Sequence, residues 1–115
     1  MTTPIQILEY VDQHGNCAFR DWFNYLDSVS AARVAMYLER VAQGNFSNVA
    51  PIGAGLSEIK INVGPGYRVY FAKKGSTILI LLGGSNKKDQ SQAIEKAKQL
   101  WEEYKALVKQ EKNKL

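Results

Sequence analysis

Apolar residues recur at three- and four-residue intervals between residues 16 and 44, alternate singly with polar ones between 57 and 71, and return to the helical interval from 93 onward. Ile5–Tyr10 reads as a short strand of moderate β propensity. Asn16 is placed to cap a helix whose apolar positions are Phe19, Trp22, Phe23 and Leu26. Ser28 or Ser30 is placed to cap the next, in which Val34, Leu38 and Val41 share a face, and Gly44 stops it where a left-handed residue is wanted. So short a connection predicts an antiparallel helical hairpin.

In the middle of the chain Ser57, Ile59, Ile61 and Val63 alternate with Glu58, Lys60 and Asn62, the period of a half-buried strand. Gly64–Pro65–Gly66 signals a turn, Tyr67–Phe71 a second strand, and Lys74–Gly75 another turn. Thr77–Leu82 is apolar almost throughout, which predicts a central strand covered on both faces, ended by Gly83–Gly84–Ser85–Asn86. Ala93, Ile94, Ala97, Leu100, Trp101, Tyr104, Leu107 and Val108 form one stripe on a C-terminal helix beginning at Asp89 or Ser91. The expected fold is α+β: an antiparallel sheet with an N-terminal helical hairpin and a C-terminal helix packed against it.

Length makes this a single domain, residues 1–115, because two halves would each be too small for a core. Cys17 is the only cysteine and His14 the only histidine, which excludes an internal disulfide and a Cys/His zinc site and points to a reducing cytosol. The first residues lack the basic-then-apolar pattern of a signal peptide, and the longest apolar run, Ile78–Leu82, is too short to span a bilayer. A soluble cytoplasmic protein is therefore expected. Fifteen Lys and Arg against eleven Asp and Glu leave a charge of +4. That balance favours a polyanion or an acidic protein partner, although many proteins that bind neither carry as much.

If Gly64–Pro65–Gly66 is a three-residue loop, Val63 pairs with Tyr67, Asn62 with Arg68 and Lys60 with Tyr70. Ile59, Ile61, Val63, Val69 and Phe71 then face the core, and Glu58, Lys60, Asn62, Arg68 and Tyr70 share the other face. Lys87 and Lys88 follow the neighbouring strand and can reach the end of that surface. Such a set suits a phosphodiester. Arg68 offers bidentate contact, Lys60 charge neutralisation, Glu58 a general base towards a ribose 2′-hydroxyl, and Tyr70 a stacking or proton-orienting ring. Polar residues on an open sheet face also arise with no function, as cross-strand charge pairs.

The segment GLSEIKINVGPGYRVYF, Gly55 to Phe71, resembles a recurrent run of the RelE/HigB/ParE superfamily of toxins from type II toxin–antitoxin modules. The resemblance is to the subfamily of addiction-module killer proteins, and LLGGSNKKDQ, Leu81 to Gln90, matches its second signature. It implies a RelE-like fold and a toxin silenced by a cognate antitoxin, typically a small helix-turn-helix protein. For the RelE and HigB branches it further implies metal-independent, ribosome-dependent cleavage of mRNA, with no cofactor. Carried over, Arg68 matches the arginine on the scissile phosphate, Glu58 a recurrent acidic position, and Lys87 the lysine after the last strand. Lys60 stands where the pattern has arginine, keeping the charge and losing the fork. Asn62, Tyr70 and Lys88 are the candidate substrate contacts. Two alternatives share the resemblance: a ParE-like poison of DNA gyrase that cleaves nothing, and a degenerate toxin that only binds its antitoxin.

Overall fold

Turn chemistry and apolar period together set eight elements in the computed structural model, which describes residues 4–113. They are β1 (Gln6–Glu9), α1 (Ala18–Asn24), α2 (Ser28–Ala42), β2 (Val49–Gly53), β3 (Leu56–Ile61), β4 (Tyr67–Lys74), β5 (Ile78–Asn86) and α3 (Gln90–Asn113). The sheet has five strands in the order β1-β5-β4-β3-β2. β2, β3, β4 and β5 run antiparallel to their neighbours, whereas β1 lies parallel to β5. The expected antiparallel sheet is thus a mixed one. A parallel pair needs a long crossover, and the helices and three strands between β1 and β5 supply it. Strand β2 lay in a stretch without strand signals: Pro51 and Gly53 disguise it, as an edge position permits.

Both faces of the sheet are covered. On one, Phe19, Val34 and Val41 of α1 and α2 meet Ile59, Ile61, Val69, Phe71, Leu79 and Leu81. On the other, Ala97 and Leu100 of α3 meet Leu56, Tyr70, Ala72, Ile80 and Leu82, with Trp101 and Tyr104 packed beside them. Alternation along β5 therefore serves two cores at once, which accounts for its unbroken apolar run. The face expected to lie open carries α3 across β4 and β5.

One inserted residue governs the far half of β5. Phe71 pairs with Leu81 and Tyr70 with Gly83, so Leu82 is an extra residue, a β-bulge. Beyond it the inward and outward positions of β5 exchange. Gly84 turns to the α1 side and Ser85 to the α3 side, the reverse of an uninterrupted strand. Gly83–Gly84–Ser85–Asn86, expected to end the strand, instead completes it. Gly84 is required by its neighbour: a Cβ there would sit 2.2 Å from the ring of Trp22.

Helix starts differ in detail from expectation. Asp27, not Ser28 or Ser30, caps α2, its carboxylate accepting from the Ser30 amide at 3.2 Å. Cys17 occupies the cap position of α1 without a side-chain capping bond, and the Asn16 amide instead donates to Asp12 Oδ1 at 2.9 Å. Asn86 Oδ1 accepts from the Asp89 amide just ahead of α3. Further along α3, Glu103 Oε2 accepts from the Tyr10 hydroxyl at 2.8 Å, tying the helix to the end of β1. Among the described residues no helix is long and apolar enough to cross a membrane.

Two outcomes follow from this packing. Gly84→Ala drives a methyl into Trp22, and urea unfolding should show a loss of about 1–3 kcal/mol; an unchanged midpoint would remove Trp22 from that role. Burial, and then the Glu103 carboxylate, push the Tyr10 phenol up to about 12 from 10.0. The unfolded chain ionises first, so stability is complete below pH 10 and falls as pH rises towards 12. Tyr10→Phe should flatten that part of the stability profile.

Candidate functional site

The hairpin that carries the candidate residues closes two positions earlier than a three-residue loop would. Ile61 pairs with Tyr67, Lys60 with Arg68 and Glu58 with Tyr70. The register expected from the sequence placed Asn62 opposite Arg68 and Lys60 opposite Tyr70. The shift is by an even number, so every side chain keeps its predicted face while its partner changes. Asn62 and Val63 pass into the connection, where the Gly66 amide closes a turn on the Val63 carbonyl at 3.0 Å.

The new register places two cations, Lys60 and Arg68, directly opposite each other, an arrangement that is unfavourable without a counter-charge. Glu58 supplies it. Its Oε1 accepts from Arg68 Nη1 at 2.8 Å, and its Oε2 accepts from Gln90 Nε2 at 3.2 Å. Glu58 is 5% exposed, so both carboxylate oxygens are engaged in a nearly dry site. The Arg68 side chain retains 18% exposure and donates through Nη1, which leaves the rest of its fork for another acceptor. A buried anion anchors a cation at the rim.

Glu58 had been expected as a general base on an open surface. It is instead buried, with one carboxylate oxygen bonded to Arg68 and the other to Gln90. Tyr70 had been expected to stack on a base or to orient a proton transfer. It is fully buried among the α3 core residues, and its hydroxyl shares a 3.0 Å hydrogen bond with Ser85 Oγ. Burial pushes its phenol up, so the hydroxyl stays protonated, and a ring at this depth has no face free to stack on a base. The reason is α3, which lies over β4 and β5 and whose start and core also cover Leu56 and Glu58 of β3.

Lys60 near the end of β3 and Asn62 in the connection that follows remain exposed. Lys87 and Lys88 are exposed where β5 leads into α3, and the Lys87 amide donates to the Gly66 carbonyl at 3.0 Å. The structure therefore brings Glu58, Arg68 and Lys60 together, holds Lys87 at the turn preceding Tyr67 and Arg68, and withdraws Tyr70. Gln90 and Ser85 belong to this network and were not singled out in the sequence. Both stand in the LLGGSNKKDQ segment, but only the bulge and the start of α3 aim them at Glu58 and Tyr70. Among the described residues no group of three His, Cys, Asp or Glu is arranged to hold a metal ion.

Fold and site define an α+β protein with a five-stranded mixed sheet in which a buried carboxylate holds a half-buried guanidinium beside an exposed lysine. No family model matches the chain. It is 34% identical over 86 residues to a Haemophilus influenzae protein described only as uncharacterized, an alignment covering 74% of this chain and 87% of that one. The chain belongs to the same family as that protein.

Removing Arg68 alone strands the Glu58 carboxylate. Arg68→Ala should cost roughly 3 kcal/mol in urea unfolding, and adding Glu58→Gln should restore most of it. Equal stability of the single and double variants would show that the pair is not coupled.

Proposed function

We propose that this chain is the toxin component of a type II toxin–antitoxin module, RelE-like in fold and acting as a ribosome-dependent mRNA endoribonuclease. The observation that carries the reading is Arg68, held at the rim by the buried Glu58 carboxylate with Lys60 opposite it in register. A phosphodiester is recognised by a forked cation of fixed orientation, and the ion pair fixes this one before any ligand arrives. The resemblance of Gly55–Phe71 and Leu81–Gln90 to the addiction-module killer proteins supports the same reading.

In this reading Arg68 binds the non-bridging oxygens of the scissile phosphate, and Lys60 offsets charge that grows on them as the neighbouring 2′-hydroxyl attacks phosphorus. The new P–O bond closes a 2′,3′-cyclic phosphate as the P–O5′ bond breaks, and the 2′-hydroxyl proton passes through solvent water to the departing 5′-oxygen. Glu58 positions Arg68, which separates this site from one in which a carboxylate removes the 2′ proton. Lys87 and Lys88 add positive charge along the path of the strand. The partner is a small helix-turn-helix antitoxin, acidic or helix-rich where it covers the basic rim, encoded beside the toxin and acting in the bacterial cytoplasm.

A second reading rests on a specific observation: Glu58 and Tyr70, the carboxylate and phenol of the candidate set, are both buried. That favours a ParE-like gyrase poison, which needs a docking surface and no proton transfer.

A cell-free translation reaction separates the two. Wild-type protein should produce new mRNA ends within translated codons. The folded Arg68→Ala/Glu58→Gln variant should lose on the order of a hundredfold or more of that activity, and Lys60→Ala a smaller part. Intact message together with inhibited DNA supercoiling by gyrase would replace the nuclease by the poison.

A further inference from the structure

β1 pairs with β5 only from Ile78 to Leu81, and beyond it Gly84, Ser85 and Asn86 of β5 line an open cleft of about 560 Å³. The cleft runs between the end of α1 and the first turns of α3. Three of its walls are aromatic: Trp22, Tyr25 and Tyr67, with the Trp22 and Tyr67 rings edge to face at 6.1 Å. Tyr25 is 90% exposed and belongs to neither core, so folding gives no account of a ring there. The polar wall is made by Asp89 and Gln92, both exposed on α3's side of the opening.

This lining discriminates between ligands. Exposed aromatic faces take up flat rings by stacking, and an amide and a carboxylate read the hydrogen-bonding edge of such a ring. A carboxylate accepts and never donates, so Asp89 favours a ring with an amino group and repels phosphate. The backbone of a nucleic acid would then lie outside the cleft, towards Lys87 and Lys88, which follow Asn86 directly and are exposed. Continuity with the candidate site runs through Ser85, which lines the cleft, pairs with Arg68 and lies on the same side of the sheet, whereas Tyr67 and Asn86 line the cleft from the α1 side.

We propose that this cleft binds a nucleobase of single-stranded RNA beside the phosphate held by Arg68, and that it prefers bases bearing an amino group. The proposal rests on the RNA-directed reading of the chain and adds to it a base-selective subsite. Tyr25 is the stacking platform, and Asp89 with Gln92 read the base edge.

The chain has two tryptophans, Trp22 and Trp101, so Trp101→Phe leaves Trp22 as a reporter inside the cleft. Titration of that variant with hexaadenylate, hexacytidylate and hexauridylate should quench Trp22 saturably, with uridylate the weakest. Tyr25→Ala should weaken the adenylate response roughly five- to hundredfold, Tyr25→Phe should retain it, and Asp89→Asn should remove the preference over uridylate. No saturable quenching, or an equal response from Tyr25→Ala, overturns the proposal. Tyr25-dependent quenching without mRNA cleavage keeps the cleft and removes the nuclease; cleavage with a Tyr25→Ala response equal to the parent does the reverse.

Discussion

The insertion of Leu82 into β5 sets the orientation of nearly everything around the candidate site. Up to Leu81 the strand alternates between two apolar cores in the ordinary way. The bulge then exchanges its faces, so the same strand offers Gly84 to Trp22 and Ser85 to Tyr70. Neither contact survives without it: an uninterrupted strand would put a glycine under Tyr70 and a hydroxyl under an indole. β-bulges bend and twist the strand that carries them.

The second constraint is electrostatic. Placing Lys60 and Arg68 opposite each other on adjacent strands is tolerable because Glu58 lies on the same face, one pair along, and leans to Arg68. Its second oxygen is taken by Gln90 at the start of α3, so the helix that covers the sheet also completes the anion's bonding. A carboxylate so nearly buried needs each of these donors, because an unpaired charge in a dry site is strongly destabilising. Cover, counter-charge and orientation of Arg68 are thus one arrangement, and the guanidinium reaches the rim with its direction already set.

Much of this was legible in the chain. The long C-terminal stripe from Ala93 to Val108 identifies a helix because nothing else repeats at that interval over so many residues. The alternation from Ser57 to Val63 assigns each side chain its face, and that assignment survives a wrong loop length because an even shift preserves parity. The candidate cluster was only partly legible. Arg68 and Glu58 were placed on one face, yet the burial of Glu58 and Tyr70 depends on where α3 crosses the sheet, and helix periodicity says which side of a helix is apolar without saying what lies beneath it.

The remaining differences have the same origin. Strand β2 is carried by pairing with β3 rather than by its own propensity, so Pro51 and Gly53 hide it. The parallel placement of β1 on β5 is a choice between sheet edges, and no local pattern encodes such a choice. Sequence by itself determined the α+β class, the helix and strand periods, the facing of the hairpin residues and the excess of positive charge, since each is a property of neighbours along the chain. Only the tertiary structure decided which polar residues are buried, which cations meet a carboxylate and where an open cleft remains. Those depend on contacts between segments far apart in sequence, where a single inserted residue exchanges the faces of a strand.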